Sequence, residues 1–506
     1  MSKENNDLGL LFGNIPLKKL DRTARWRDGG ISPTCSFLRE PLNLQEINQY
    51  NYHFAIQHQN GATTYVTPEG SGDVPDTFSD FLTLRFGDEG PTLHILGPTD
   101  VAITETLEYF SNLEDVRKRN CFLQFSSTHI PFQDSYYSCR VQAHCLERLF
   151  RAAPSREYRF HEITLTAEQL SVLATRPHPV RITFSEMRFE DEGTAFVDSL
   201  ESRMSTFGSL TLEGLVLFSK NNVKRLLKVG TIEHLRLTCC SSSPNSDLPF
   251  SANVKSLGYE ISSNEWLKHC EWNIVAHQFS LTIKYSSGAF PTEHFILFFR
   301  RLAELGHFTE LNIQFEGTYC RFDSPVGVPD SVLETIIDAA VANFNLKTLA
   351  LGGSLGDLTE PQLAKLFQRL KDHSGLRTVK ISTSHKEVEP AFASLAELLS
   401  HNRNISVRDE YGRIYSDKSS IDRLYALNGF YRGSASFVTD PPPERLSLVM
   451  TALLIGALNS FQRSALLLAN HTDVLHQLVQ YARMDNEVDD DDLLAMNQDQ
   501  KRQRTN

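Results

Sequence analysis

The sequence predicts an open α/β solenoid with a parallel sheet, followed by a small helical C-terminal cap. Three observations predict it. Three segments share one spacing of apolar residues, Phe308-x-x-Leu311-x-Ile313, Leu346-x-x-Leu349-x-Leu351 and Leu376-x-x-Val379-x-Ile381, and Ile405-x-Val407 keeps the last two of those positions. A stretch of helical period precedes each one. The unit returns at roughly thirty residues. A strand and a helix repeated at such an interval cannot bury their apolar sides alone. They stack, and one core runs through the stack.

Of 506 residues, 41% are hydrophobic and 10% aromatic, with phenylalanine used 32 times. That supplies a real core and excludes a wholly disordered chain. The formal net charge of -12 speaks against nucleic acid as the main partner, because phosphate binding needs a basic surface. The start, MSKENNDLGLLFGNIP, has no long apolar core behind a basic segment, so no signal peptide is expected. The longest greasy run, Leu446 to Leu458, has 13 residues, interrupted by Ser447 and Thr451. A bilayer needs about 20, so the run predicts a buried helix and no membrane span. The eight cysteines, Cys35, Cys121, Cys139, Cys145, Cys239, Cys240, Cys270 and Cys320, form no C-x-x-C pair. They are too sparse for a disulfide scaffold and read as reduced, mostly buried thiols of an intracellular protein, cytoplasmic or nuclear. The glycosylation patterns Asn404-Ile-Ser406 and Asn470-His-Thr472 are then incidental.

Residues 1–50 show little periodicity and predict an irregular arm, partly disordered. Residues 51–415 carry the degenerate repeats. Short β-like runs open them: His53 to Ile56, Phe81 to Phe86, Leu93 to Leu96, Phe122 to Phe125 and Ile163 to Leu165. Turns bearing Gly and Pro separate the early runs, and helix-like stretches lie at Ile103 to Phe110 and Val141 to Arg151. The strand–helix alternation thus begins here in a weaker form.

Clearer units follow. Counted on the middle apolar position, they fall at Val180, Leu210, Leu235, Leu257, Phe279, Leu311, Leu349, Val379 and Ile405. The longest step, 38 residues from Leu311 to Leu349, carries an insertion over Glu316 to Val328. Between the later strands, Phe295, Phe298, Phe299, Leu302 and Leu305 have helical spacing. So do Leu333, Ile336, Ile337, Ala340 and Phe344; Leu363, Leu366, Phe367 and Leu370; and Phe392, Leu395, Leu398 and Leu399. Ser331-x-x-Glu334 and Thr359-x-x-Gln362 fit the capping box, with Pro361 suited to a first turn. Gly306 and Gly375 sit where helices should stop.

Residues 416–484 form a helical C-terminal segment, with helices expected over Ile421 to Tyr431, Glu444 to Ser460 and Phe461 to Arg483. A solenoid needs its last repeat covered, and this segment is placed to cover it. Residues 485–506 hold the acidic run Asp485 to Asp492 and the basic end Lys501 to Arg504, and predict a disordered charged tail.

On these residues the chain resembles the ribonuclease-inhibitor-like leucine-rich-repeat proteins, and most of all the divergent form abundant in diatoms. The resemblance covers about Phe81 to Val407. The end-piece adds to it: Leu424-x-x-Leu427-Asn428 is followed by Tyr431-Arg432-Gly433, where those proteins carry Leu-Asn near a Gly-Arg pair. Here the Gly and Arg are shifted and reversed. The pattern L-x-x-L-x-L-x-x-N/C is met in full by Ile232, Leu235, Leu237 and Cys240. Its last position is Glu316 after Phe308 and Ser354 after Leu346, so a regular asparagine ladder is not expected. The resemblance implies a protein-binding horseshoe without catalytic residues. It does not imply inhibition of ribonucleases.

The sequence has no P-loop, H-E-x-x-H or G-x-S-x-G. Gly352-Gly353-x-x-Gly356 lacks both the G-x-G-x-x-G spacing and a following Lys-Ser/Thr, and reads as a strand-end turn. Cys139, His144 and Cys145 lack the second cluster that a zinc site needs. His161-Glu162 and His294-Phe295 have no partner at a telling spacing. No catalytic residue, cofactor or metal is therefore assigned. Because side chains alternate along a strand, residues between the apolar positions should face the concave side. That surface includes Glu213, Arg236, Gln278, Glu310, Asn312, Gln314, Lys380 and Arg408. It is polar, mixed in charge and poor in aromatics, so it suits a binding face and a merely solvated one equally.

The sequence thus points to a non-enzymatic protein–protein interaction scaffold, with a protein partner that it does not name. Two other functions compete. An adaptor or substrate receptor of a ubiquitin-ligase-like complex would carry a helical docking motif at its N-terminus, and residues 1–50 show none. An α/β enzyme would carry phosphate-binding glycines or clustered acid–base residues at strand ends.

Overall fold

Leu210, Leu235, Leu257, Phe279 and Leu311, picked out by spacing alone, lie side by side on consecutive parallel strands of the computed structural model. The structure describes residues 11–14, 34–49, 53–67, 82–87, 90–113, 122–127, 137–138, 141–152, 156–214, 216, 218–238, 248–262, 272–285, 291–317, 328–353, 358–382, 388–439, 441–457 and 460–480. The tail 485–506, the insertion loop beyond Gly317, Cys139 and Cys240 fall outside them. Two compact units are present, residues 1–294 with 310–322 and residues 295–309 with 323–506.

In the first unit come β1 (Phe12–Asn14), β2 (Thr34–Phe37), α1 (Leu44–Asn48), β3 (Phe54–Gln57), β4 (Thr63–Thr67), β5 (Leu82–Phe86), β6 (Thr92–Leu96) and α2 (Asp100–Ser111). Next are β7 (Phe122–Ser127), β8 (Tyr137–Ser138), α3 (Ala143–Ala152), β9 (Glu157–His161), β10 (Ile163–Leu165), α4 (Ala167–Ala174), β11 (Val180–Ser185) and β12 (Arg188–Phe189). Then follow α5 (Thr194–Glu201), β13 (Gly208–Glu213), α6 (Lys220–Leu226), β14 (Ile232–Leu237), β15 (Ser256–Ser262), β16 (Gln278–Tyr285) and, after α7 (Thr292–Leu305), β17 (Glu310–Gly317).

From β7 the main sheet is parallel and keeps chain order: β7, β9, β11, β13, β14, β15, β16, β17. One buried row crosses it in register, Leu123, Tyr158, Ile182, Leu210, Leu235, Leu257, Phe279 and Leu311, none more than 2% exposed. Phenylalanines extend the core beside that row. Phe125 stacks on Phe160 at 5.1 Å, Phe160 neighbours Phe184 at 5.8 Å, and Phe184 meets Phe196 edge-on at 5.6 Å. The abundance of Phe is thus spent in the core. No described pairing joins β1 to β17, so this sheet is open and not a barrel.

The arm expected at 1–50 is not irregular throughout. β1 pairs antiparallel with β2, β2 runs parallel to β3, and Asn43 caps α1, which buries Leu44 and Ile47. Residues 54–127 also depart from the expected alternation. Their order in the sheet is β3, β4, β6, β5, β7, and every one of these pairings is antiparallel. The reason is the short links from β3 to β4 and from β5 to β6. A link of a few residues returns a strand antiparallel; a parallel neighbour needs a long crossover.

Register corrects two further expectations. Ile182, not Val180, pairs with Leu210 and is the middle position of its unit. The main-sheet strand before it is β9, which the spacing did not single out. Ile163 to Leu165 belongs instead to a small parallel sheet of β8, β10 and β12. Glu162 and Glu186, at φ 54° and 50°, make the corners from β9 into β10 and from β11 into β12.

One consequence for pH arises in the antiparallel region. His94 on β6 is 2% exposed, and its Nδ1 lies 2.9 Å from Thr83 Oγ1. Burial, helped by nearby His53, pushes its pKa from 6.5 down to about 4. The neutral ring is the folded form, so the unfolded chain takes up a proton first as pH falls. The stabilisation is complete above 6.5 and is lost between there and about 4, on the order of 3 kcal/mol. The protection factors of amides in β3–β6, exchange rates taken relative to the unfolded chain at the same pH, should therefore fall as pH drops from about 6.5 to about 4. His94→Gln should weaken that dependence; equal dependence in both proteins would refute the assignment.

In the second unit, after the rest of α7, come α8 (Asp330–Ala342), β18 (Thr348–Gly352), α9 (Glu360–Leu370), β19 (Thr378–Ile381), α10 (Phe392–His401), β20 (Ser406–Arg408), α11 (Ser420–Ser436), α12 (Pro442–Ala452) and α13 (Phe461–Ala469). α12 runs on as a π-helical turn, Leu453–Ala457, and residues 472–480 are helical. The strands β18, β19 and β20 are parallel neighbours. Leu349 pairs with Val379, and Val379 with Val407 rather than with Ile405. The last repeat is one residue shorter between its first two apolar positions, so Ile405 takes the place of Leu346 and Leu376, all fully buried.

Helix ends follow the chemistry in part. The Thr359–Gln362 capping box forms, with Pro361 in the first turn, and Gly306 follows α7 at φ 61°. Thr166 and Gln169 make a second box at α4. The one expected at Ser331 does not form, because α8 already starts after Pro329.

A polar ladder does exist, but at the helix-to-strand turns. Asn343 is fully buried. Its Oδ1 accepts from Phe308 N–H at 3.1 Å, and its Nδ2 donates to Leu302 O and Ala339 O. His373 Nε2 bonds Asn343 O at 3.1 Å while its Nδ1 accepts from Leu376 N–H, and Asn402 Nδ2 donates to His373 O at 2.8 Å. Each repeat thereby satisfies carbonyls that the preceding helix leaves open. Arg203 plays this part in the first unit, donating to Ala174 O at 2.6 Å and Thr206 O at 2.8 Å.

The helical segment continues the ladder. Asn428 on α11 donates to Leu399 O at 2.8 Å, and Arg432 to the carbonyls of Arg403 and Asn404. α11 also closes the edge of β20. The Tyr425 hydroxyl accepts from Val407 N–H at 3.2 Å and lies 3.1 Å from Val407 O. Burial pushes its pKa up to about 12, so it stays a donor. Arg408 bridges antiparallel to Ile414, and the Tyr415 hydroxyl donates to Ile381 O. As far as Ile455, the run that begins at Leu446 is only partly buried, contrary to expectation. Val449 packs with Leu467 and Val474, whereas Leu454 and Ile455 are 67% and 82% exposed. This part of the run is amphipathic.

Candidate functional site

The face that alternates with the buried rows is polar and open from β9 to β17. On it, in register, stand Ser209, His234, Ser256, Gln278 and Glu310, and beside them Thr211, Arg236, Gly258, Ser280 and Asn312. Six of the expected residues, Glu213, Arg236, Gln278, Glu310, Asn312 and Gln314, lie on this one face. Gln278 faces Glu310 directly, and Asn312 and Gln314 are on the same strand as Glu310. The other two, Lys380 and Arg408, are paired neighbours on β19 and β20 of the second unit. The slips at Val180 and Ile405 are by two residues, so the predicted face survives them.

Several charges on the face cancel. Lys284 Nζ lies 2.5 Å from Glu260 Oε1, and Arg159 Nε lies 2.6 Å from Glu157 Oε1. Arg159 also stacks on the Phe122 ring at 3.8 Å. Asn312 Nδ2 donates to Ser280 Oγ at 3.0 Å, and Thr282 Oγ1 to Gln314 Oε1 at 3.4 Å. Arg236 is exposed and makes no ion pair among the described residues. In the second unit Arg408 is held by Ser406 Oγ and Gly412 O, next to the turn that carries Tyr411, 76% exposed.

The other candidates do not converge. On α3 His144 is exposed whereas Cys145 is buried. Cys35 donates to Ala55 O, and burial pushes its thiol up to about 12, which suppresses the reactive thiolate. His161 and Glu162 end β9 with 3.7 Å between Nε2 and Oε1. Among the described residues no three His, Cys, Asp or Glu side chains gather to hold a metal ion, and no helix is long and apolar enough to cross a membrane. The cleft between α9 and α10 is lined by Lys365 and Lys371, paired with Glu334 and with Glu397 respectively.

The spacing found the face but missed the ladder. Its signal was present: a polar residue three positions before each strand's first apolar residue, in Asn343-x-x-Leu346, His373-x-x-Leu376 and Asn402-x-x-Ile405.

No protein-family model matches the sequence, and no curated protein matches it. Among solved structures, the leucine-rich-repeat-containing protein LegL7 from Legionella pneumophila is similar, at 16% identity over 60% of this chain and 96% of that chain, with a TM-score of 0.32. At that TM-score the overlay adds nothing to the fold, which stands on the strand pairing within each unit.

Proposed function

We propose that this chain is a non-enzymatic protein-binding scaffold whose repeats are of leucine-rich-repeat type, akin to the ribonuclease-inhibitor-like proteins that its residue pattern resembles. One observation carries the proposal: an uninterrupted polar face crosses the parallel strands from β9 to β17 over a fully buried row. A rigid sheet that offers many side chains in register suits recognition of another protein surface. The partner is a protein met inside the cell, in cytoplasm or nucleus. Among the described strands, those from β7 to β17 keep chain order, without the switch point at which doubly wound enzymes form their crevice.

The test is affinity capture with three forms of the full chain, read by quantitative mass spectrometry. Arg236→Glu combined with Lys380→Glu alters the sheet face; Lys365→Glu alters the helix side. Proteins retained by the natural chain and by Lys365→Glu, but lost with the sheet-face variant, are the expected result. Equal retention by all three forms would remove the sheet face as the binding surface.

A further inference from the structure

The helical segment of the second unit carries an apolar tip. α12 and α13 form a hairpin: Arg445, in the first turn of α12, pairs with Asp473 just beyond α13, and Val449 packs with Leu467 between the two helices. At the other end the π-helical turn Leu453–Ala457 packs against α13, which begins at Phe461. Leu453 turns inward onto the Val449 cluster. Leu454, Ile455 and Phe461 do not; they are 67%, 82% and 88% exposed. Side chains so bare stand out from the surface rather than line a groove. The hairpin is also free of carboxylates between its paired ends. Asp and Glu make up 62 of the 506 residues, yet none occurs from Arg445 to Thr472. Cations flank the tip instead. Arg463 lies in the first turn of α13, and Arg423 on α11 donates to Gln462 Oε1 at 3.0 Å. Asp422, next to Arg423 on α11, offsets one of these two charges.

We infer that this tip enters the interface of a lipid bilayer, with Leu454, Ile455 and Phe461 among the acyl chains and Arg423 and Arg463 at the headgroups. Exposed apolar patches of this kind mark protein or membrane contacts, and three features select lipid. A protein pocket must match a protruding shape, whereas a fluid interface closes around it. Carboxylates would be repelled by anionic headgroups, and the hairpin keeps them away from its tip. Area disfavours a second copy of the chain. At about 200 Å² for a large side chain, the three offer roughly 500 Å², short of the ~800 Å² per partner of a standard interface. Leu448, earlier on α12, adds little at 39% exposure. The tip rests on the surface and does not span it.

Sedimentation of the full natural chain with vesicles tests this, one set of phosphatidylcholine with phosphatidylserine and one of phosphatidylcholine alone. The natural chain should sediment with vesicles, most with the mixed set. Leu454→Ser, Ile455→Ser and Phe461→Ser combined should leave the melting curve unchanged, since all three side chains are exposed, and should cut vesicle binding about tenfold or more. Arg423→Glu should weaken binding to the mixed set. With Phe461→Trp, brominated phosphatidylcholine in the vesicles should quench fluorescence beyond any quenching of the natural chain. Arg236→Glu with Lys380→Glu should bind vesicles as the natural chain does, so that this result and the fate of the sheet-face scaffold are read separately. No binding of the natural chain to either set, or equal binding by the triple serine variant, overturns the inference. So does self-association in sedimentation velocity that the serine variant abolishes while vesicles stay unbound.

Discussion

Leu349→Ala is expected to destabilise the second unit by about 2–5 kcal/mol, the range for emptying a packed core site. Leu349 is fully buried and pairs with Val379, which is fully buried too. Truncation would leave a cavity between neighbours fixed by strand pairing, so the core cannot easily collapse into it. Thr348→Ala, one position away, should cost far less. Its side chain lies on the open face, opposite Thr378, and is only partly covered. Denaturant melts of the two variants decide the matter. Equal losses would put Thr348 in the core, because a one-residue slip exchanges the faces.

Ending the chain after Ser416 should have the other large effect. It removes Ile421, Tyr425, Asn428 and Arg432 together. Val407 then loses both hydrogen bonds to Tyr425, and Leu399 O, Arg403 O and Asn404 O lose their side-chain partners. A buried polar group left unsatisfied costs about 1–3 kcal/mol, and an uncovered strand edge invites pairing with another chain. The expected result is a lower melting temperature for the second unit, or aggregation as seen by light scattering. Tyr425→Phe should show a smaller loss of the same kind. Repeats that melt as before would mean that the helices form a separate bundle.

Much of the parallel sheet was legible in the sequence, because its signal is a repeated spacing of large apolar residues that tolerates exchange of Leu for Phe, Ile or Val. Leu210, Leu235, Leu257, Phe279 and Leu311 all carry it. β9 was not, since Tyr158 and Phe160 alternate with Glu157, Arg159 and His161 but lack a third apolar residue upstream. The antiparallel strands before β7 were legible as strands, yet their direction depends on link length and not on composition. The open face followed from alternation alone. What Arg236 touches did not, because pairing of Lys284 with Glu260 and of Arg159 with Glu157 is a matter of three-dimensional neighbours.

The contrast in strand order bears on how such a chain changes over generations. From β9 to β17 each main-sheet strand bonds only to those before and after it in the chain. A tandem duplication or loss of one strand with its link leaves every other pairing possible, so this part of the gene can grow or shrink by whole units. The segment from β3 to β7 has no such freedom. β5 is flanked by β6 and β7, and β6 by β4 and β5. Deleting either would strand two partners at once, so inheritance should conserve the length of this part while the repeats beyond it drift in number.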